Sequence, residues 1–508
     1  MNVQLLHPDR DLDLSRALRP DAGDLVQDLA LEPLFAAMAC GDQLALQVAR
    51  AVLLADEATS PEVATYRQEA VVDCLAERVA VRALYGLAGK GLADVRDLGF
   101  LRLYSSYPTS TLYSALRVLG VVADTLTQML ALMEEARPRF HSRAFARLFD
   151  QARSELNTAF FDDVRFYRQE LEFRAGMLAS ARLGVANRGA EYTLRRAPVQ
   201  RRGFLASLRR GSERGLTFTI PGPDEAGHTA LQELKGRTIN GAANALAQAN
   251  DQMLAYFADL RAELAFYLAC VNLHDALTAR GAAVVMPSVE PVGTRALRAR
   301  GLVDVSLVLG GAQPVVANDV DVDRCITLVV TGANRGGKTT FLRSMGQAQL
   351  MMAAGMEVAA QSFAAAVCDR VFTHFRREED TSMTAGKLDE ELSRLVRIVD
   401  RLGPESMVLM NETFGSTNEA EGSELARQVV TALAAAGIRV VFVTHMSAFA
   451  LALEAEGRPD EAFFRAERLA DGTRTFRVLP GGALETSFAL DVYGRVFGEA
   501  AEGPAASA

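Results

Sequence analysis

One stretch of eight residues limits what this chain can fold into more than any other. Gly332-Ala333-Asn334-Arg335-Gly336-Gly337-Lys338-Thr339 fits the pattern G-x-x-x-x-G-K-[ST]. It follows a continuous apolar run, Cys325-Ile326-Thr327-Leu328-Val329-Val330, and precedes a helix-patterned stretch from Phe341 to Met352. Such a run reads as a buried parallel strand. Strand, glycine-rich loop and helix in that order make a phosphate cradle. Glycines let backbone N–H groups converge on phosphate oxygens, and the helix N-terminus adds positive potential. Lys338 is expected to bridge the β- and γ-phosphates, and Thr339 to place its hydroxyl on Mg²⁺. Gly332 to Thr340 is therefore the expected nucleotide-binding loop, with ATP and Mg²⁺ as its ligands.

Two more apolar runs, Met407-Val408-Leu409-Met410 and Val440-Val441-Phe442-Val443, are separated by helical patterns, which implies an α/β sheet. Ala283 to Pro287 and Val303 to Leu309 also read as strands. The first of the two runs ends in Asn411-Glu412. An acid at such a strand end lies beside the phosphate site, where Glu412 would act as general base. The competing reading of Glu412 is a strand-end carboxylate in a surface turn. The second run ends in Thr444-His445, where His445 either senses the γ-phosphate or serves a purely structural role.

The first 280 residues have a different character. Ala, Leu, Arg and Glu dominate, and apolar residues recur at helical spacing, as in Val71, Cys74, Leu75, Val79, Val81 and Leu84. Long amphipathic helices are expected at about 111–136, 143–182 and 238–280, broken near Pro108 and Pro138. Leu31 to Ala55 is apolar but interrupted by Asp42, Gln43, Gln47 and Arg50, so it reads as a buried helix and not a membrane span. Between the last two long stretches lies an Arg-rich insertion with Arg195, Arg196, Arg201, Arg202, Arg209, Arg210 and Arg214. A short strand candidate, Leu216 to Ile220, follows it. The insertion has two readings: a phosphate-contacting surface, or a solvated loop balanced by acidic neighbours. The net charge of −9 gives no global support to the first, so any DNA contact must come from this local patch.

Taken together these pieces resemble the MutS family of DNA mismatch-repair ATPases. Thr331 to Thr340 resembles the family's TGPNMGGKST, and Val408 to Asn418 resembles its LxDExGRGTS segment, with Gly422 opening the next helix. Phe442-Val443-Thr444-His445-Met446 resembles FATHY, Val316 to Val320 resembles the PNDV turn, and Ser487 to Leu490 resembles the SYG segment. More weakly, Tyr66 to Leu75 and Tyr267 to Pro287 resemble the start of the helical core and the return of the lever. The resemblance implies a multidomain chain, with an α-helical core, lever and clamp region followed by an α/β P-loop ATPase domain of the ABC type. The implied boundaries are 1–110 for the first part of the core and 111–280 for lever arms, with a clamp-like insertion at about 190–235. The ATPase domain follows at 281–498, and 499–508 is a small polar tail expected to be disordered. It further implies ATP hydrolysis coupled to DNA binding in a homodimer.

Several positions depart from the family pattern. Asn411 stands where the family has the Asp that holds Mg²⁺. It keeps one oxygen but loses the charge, so metal binding should weaken. Gly386 and Lys387 fall where the family has the Ser-Thr that reaches the partner subunit's γ-phosphate. Phe414-Gly415-Ser416 replaces GRG. The stretch before residue 60 leaves no room for a mismatch-reading domain and has no Phe-x-Glu wedge, so DNA binding without direct mismatch reading is expected. A second function class fits these departures: a weakly hydrolysing, nucleotide-gated module acting on RNA, ribosomes or a protein partner. A transporter-type ATPase fits less well, for want of an LSGGQ-like signature before Asn411. The five cysteines form no CxxC pair, and no signal peptide or membrane span is evident, so a cytoplasmic protein is expected.

Overall fold

The computed structural model describes residues 1–98, 107–174, 176–196, 216–311, 314–377, 386–469 and 472–483. The chain opens with helices α1 (Ala22–Asp28), α2 (Glu32–Ala39), α3 (Gln43–Leu53), α4 (Pro61–Ala76) and α5 (Arg78–Leu98). Helices α6 (Pro108–Ala136), α7 (Arg143–Glu155) and α8 (Thr158–Leu171) follow. A hairpin of β1 (Leu178–Leu183) and β2 (Gly189–Arg195) precedes α9 (Glu225–Thr278). Then come β3 (Ser288–Glu290), β4 (Leu297–Leu302), α10 (Val305–Leu309), β5 (Asn318–Asp321), β6 (Thr327–Thr331) and α11 (Lys338–Ala353). The remaining elements are β7 (Ser362–Ala366), β8 (Val371–Phe375), α12 (Lys387–Val399), β9 (Met407–Asn411), α13 (Glu419–Ala435), β10 (Arg439–Val443), α14 (Ser447–Glu456), β11 (Glu461–Arg468) and β12 (Arg474–Pro480).

Local chemistry accounts for several boundaries. Pro108 sits in the first turn of α6, where its missing N–H costs nothing. The apolar stretch from Leu31 is two helices, because Asp42 caps α3 by accepting from the backbone N–H of Leu44 at 2.8 Å. The helix expected over 143–182 is likewise divided. Asn157 caps α8 by accepting from Phe160 N–H, and the chain turns through Gly176 (φ +94°) into β1. The strand expected at 303–309 is instead α10, because Asp304 accepts from the N–H groups of Ser306 and Leu307 and starts a helical turn. Leu216 to Ile220 form no strand; Leu216 and Phe218 stand exposed.

The described residues form two compact units. One comprises Met1–Val3, Val79–Phe140 and Ala146–Arg261. Leu112 and Leu116 of α6 pack there on Ile239 and Ala243 of α9, and Asn250 donates to the Ala115 carbonyl at 2.8 Å. By length and composition α6 is apolar enough to cross a membrane, as buried helices of soluble proteins often are.

The other unit comprises Gln4–Arg78, His141–Phe145 and the chain from Ala262 onward. Its main sheet has the order β12-β11-β6-β10-β9-β8, parallel throughout except for the antiparallel edge pair β11–β12. A four-stranded sheet, β3-β7-β4-β5, lies in the same unit. Strands β6, β8 and β10 are buried along their whole length, which is why β6 and β10 read as apolar runs, while β8 also buries Thr373 and His374. Phe372, Val408, Met410 and Phe442 from the sheet pack with Val430 of α13 and Phe449 of α14. A helical stretch followed by an α/β sheet is thus the architecture.

Within this unit the N-terminal segment is tied to the α/β part by polar groups. Gln347 of α11 donates to the Leu29 carbonyl at 2.9 Å, to Asp304 and to Ser306. Arg377 pairs with Asp24 and Asp28 at 2.7 and 2.6 Å. Arg343, on α11, pairs with the buried Asp304 at 2.6 Å.

Candidate nucleotide-binding site

Parallel register brings the functional strand ends to one edge. Val443 of β10 pairs with Val330 of β6 and with Asn411 of β9. The glycine loop, Asn411-Glu412 and Thr444-His445 therefore leave the sheet side by side, as a doubly wound sheet requires of a ligand site.

The loop itself is shaped by two glycines. Gly332 has φ +116° and Gly337 has φ +95°. A Cβ on Gly337 would lie 2.9 Å from the carbonyl oxygen of Phe476, and one on Gly332 would lie 3.0 Å from the backbone nitrogen of Ala466. The loop is thus pressed against β11 and β12, and side chains at these two positions are excluded. Ala333 and Gly336 are buried, Asn334 and Arg335 are exposed, and Arg335 adopts the left-handed region at φ 61°. Lys338, Thr339 and Thr340 form the first turn of α11.

The Lys338 ammonium is buried and donates to the carbonyls of Gly332 at 2.7 Å and Ala333 at 3.4 Å. It faces Glu412 Oε1 at 3.8 Å. Burial lowers its pKa, Glu412 raises it, and Arg474 of β12 lowers it again. Thr339 donates its hydroxyl to Asn411 Oδ1 at 3.2 Å. This pair is the candidate metal corner: two neutral oxygens brought together, which could hold a hard divalent cation but lack the carboxylate that would hold it firmly.

Glu412 has φ 53°, and its N–H donates to the Val443 carbonyl at 2.8 Å. Its Oε2 accepts from His445 N–H at 3.2 Å and is hydrogen-bonded to His445 Nδ1. That bond raises the His445 pKa, more than burial lowers it. The candidate base and the candidate sensor are therefore one hydrogen-bonded pair, and Glu412 is oriented by His445 as well as facing Lys338.

Behind Glu412 the segment that departs from GRG is firmly packed. Thr413 and Phe414 are buried, Thr413 shares its hydroxyl with His374, and Ser416 donates to Glu391 at 2.8 Å. Burial pushes His374 down to about 4, so its ring is neutral, with Nε2–H donating to the Glu391 carbonyl at 3.0 Å. A Cβ on Gly422 would lie 2.7 Å from the Phe414 carbonyl, which explains a glycine early in α13. Asn318 of the 316–320 turn accepts from Val478 N–H at 2.7 Å and so fixes β12 beside the loop. Gly386 and Lys387 open α12.

Two residues near the loop escaped the sequence reading. Phe476 is half exposed, has φ 61°, and its backbone lies against Gly337. Arg474 is its neighbour on β12. Both sit more than 130 residues from the loop in sequence. A bulky residue held left-handed beside a phosphate cradle is a signal only the backbone carries.

The expected DNA contacts lie elsewhere. Arg195 ends β2, exposed, and donates to Ser180 at 2.8 Å. Arg196 places its guanidinium 4.6 Å from the centre of the Phe166 ring. Both belong to the first unit. Arg201, Arg202, Arg209, Arg210 and Arg214 lie outside the described residues, as do Ser487 to Leu490 and the tail from 499.

Comparison with known families agrees with the motif reading. Residues 59–280 match the model of the MutS2 N-terminal domain, and residues 328–497 match MutS domain V. A protein named endonuclease MutS2 from Pelotomaculum thermopropionicum is 33% identical over 120 residues, 23% of this chain and 15% of that protein. A DNA mismatch repair protein MutS from Chloroflexus aurantiacus is 29% identical over 188 residues, 36% of this chain and 19% of that protein. A putative endonuclease MutS2 from Bacillus subtilis is 32% identical over 133 residues, 26% of this chain and 17% of that protein. The matched stretch thus spans less than a fifth of these relatives. The two domain models nonetheless take in both the helical and the α/β parts, with MutS2 features in the first, and the chain belongs to the MutS family.

Proposed function

We propose that this protein binds and hydrolyses ATP at the Gly332–Thr339 loop and uses the cycle to alter its grip on DNA in repair or recombination, as a homodimer. The observation that carries the reading is the convergence of Lys338, Glu412 and His445 at one sheet edge around a glycine loop. The N–H groups of the loop and the N-terminus of α11 receive phosphate oxygens. Lys338 exchanges the Gly332 and Ala333 carbonyls for β- and γ-phosphate oxygens. Glu412, aligned by His445, accepts a proton from the attacking water. Thr339 and Asn411 are the residues that would hold magnesium, which neutralises phosphate charge when bound. The ring of Phe476 offers a stacking face for the base.

On DNA, the Arg residues at 195–214 would neutralise phosphates and give salt-dependent affinity without sequence preference. The helices before residue 280 would then serve as core, lever and clamp. The names of the relatives, an endonuclease MutS2 and a DNA mismatch repair protein MutS, support a DNA substrate. The test is ATP turnover by the full chain with and without branched, mismatched and plain duplexes, alongside gel shifts. Lys338→Ala and Glu412→Ala should both reduce turnover, and Asn411→Asp should raise its Mg²⁺-dependent part. A protein that turns over no ATP, and is not rescued by Asn411→Asp, would refute the active-ATPase reading.

Asn411 specifically favours a second reading. A site with a weakened metal corner suits a nucleotide-gated regulatory module acting on RNA, ribosomes or a protein partner. Nucleotide-dependent binding without duplex stimulation of turnover would select it.

A further inference from the structure

The phosphate end of this site holds an unusual balance of charge. On its negative side, the strand end offers the neutral amide of Asn411, whose oxygen is already occupied by the Thr339 hydroxyl at 3.2 Å. The carboxylate that follows, Glu412, is taken up by His445 and faces Lys338. On its positive side stand three cations. Lys338 is buried in the loop. Arg335 is exposed on the loop itself, at a position where the family motif carries an uncharged Met. Its left-handed backbone is an uncommon conformation for a residue with a long side chain. Arg474, on β12, lies within electrostatic reach of Lys338. Neither arginine has an ion pair or a side-chain hydrogen bond among the described residues. Relative to the family pattern, then, the site has lost a carboxylate at the metal corner and gained a guanidinium at the loop.

A triphosphate brings several negative charges, which a P-loop ordinarily shares between its Lys and a firmly held magnesium ion. Guanidinium groups bond phosphate oxygens in a forked geometry and stay charged at any working pH. We infer that this protein takes the triphosphate chiefly through its own cations, Arg335, Lys338 and Arg474, so that nucleotide affinity depends little on divalent metal. The inference rests on the reading of the loop as an ATP site. It concerns binding alone, so slow hydrolysis neither supports nor opposes it.

The experiment is equilibrium titration of the full-length protein with a fluorescent ATP analogue, once with Mg²⁺ and once with EDTA. The unmodified protein should bind with affinities within about threefold of each other in the two buffers, whereas a metal-dependent site should lose about tenfold or more. Arg335→Met and Arg474→Gln should each weaken binding in EDTA by roughly tenfold, as expected for a lost charge-assisted contact, and by less with Mg²⁺. Asn411→Asp should recreate a metal-dependent site, with a clear gap between the buffers. Far-ultraviolet circular dichroism checks that each variant is folded, and the comparison of buffers on the unmodified protein needs no variant. A tenfold loss for the unmodified protein in EDTA overturns the inference and leaves the ATP site standing. So does undiminished binding by both arginine variants. Absence of binding by the folded, unmodified protein in either buffer overturns the ATP reading itself, and the inference with it.

Discussion

Glu263 offers the sharpest test of how this molecule is held together. It lies on α9 with its side chain fully buried. Oε2 accepts from the backbone N–H groups of Leu5 at 2.6 Å and Leu6 at 2.9 Å, and Oε1 accepts from Leu12 at 2.7 Å. One carboxyl group thus pins the N-terminal segment. Burial pushes its pKa from 4.5 up to about 7, Asp11 pushes the same way, and the three N–H donors pull it back without prevailing. The sign follows. Between these two values the folded protein keeps a proton that the unfolded chain has released, so stability falls as pH rises from 4.5 through 7. The size is about 3 kcal/mol at 1.36 kcal/mol per tenfold change in proton affinity. Glu263→Gln is neutral at every pH and removes this dependence. In urea denaturation at pH 4.5 and pH 8, the difference between the two proteins should move by about 3 kcal/mol, with the variant gaining on the parent as pH rises. Exchange of the Leu5, Leu6 and Leu12 amides in the parent should quicken over the same range, beyond the intrinsic rate. Parallel stability curves with unchanged exchange would show that the carboxyl does not titrate in that window, and would refute the reasoning.

Three further outcomes are expected at the site. Gly337→Ala places a Cβ 2.9 Å from the Phe476 carbonyl in a backbone at φ +95°. It should cost about 2 kcal/mol in urea denaturation and abolish nucleotide binding by titration. Phe476→Ala should weaken binding of ATP by roughly three- to tenfold, the worth of one aromatic stack, while leaving tripolyphosphate binding unchanged in a competition assay. His445, with its pKa raised above 6.5 by Glu412, pairs in its charged form with the candidate base. Turnover should therefore rise with pH through a midpoint above 6.5, and His445→Ala should flatten that limb of the pH–rate profile.

The parts of the site that were legible in the sequence are the contiguous ones. Gly332 to Thr339 is one unbroken stretch of loop and helix start, and β6, β9 and β10 announce themselves because a strand buried on both faces is apolar at nearly every position. Short apolar runs are less decisive. Val303 to Leu309 has strand composition, yet Asp304 turns it into α10 by capping, a choice made by two hydrogen bonds and not by hydrophobicity. The hairpin β1–β2 was hidden for the opposite reason. Leu178-Ala179-Ser180-Ala181-Arg182-Leu183 is largely exposed, so no buried face imposes an alternating pattern. Phe476 and Arg474 reach the loop only through pairing of β11 with β6 and of β12 with β11, contacts between residues far apart in the chain. Polar ties between residues 4–78 and the rest of their unit, such as those of Glu263, Gln347 and Arg377, are made by single side chains that leave no periodic trace.

The end of β9 shows why the two residues there are not interchangeable. Successive strand residues face opposite sides, so Asn411 and Glu412 would diverge even in a regular strand. The strand also ends between them. Asn411 accepts from Arg376 N–H at 2.9 Å and turns its amide to Thr339. Glu412, at φ 53°, swings its carboxylate to Lys338 and His445 instead. Glu412 is thereby held between Lys338 and His445, in the position of the candidate base, and does not stand in for the charge that 411 lacks relative to the family pattern. Any compensation for that charge has to change the phosphate side of the site, where the loop carries Arg335 and β12 carries Arg474.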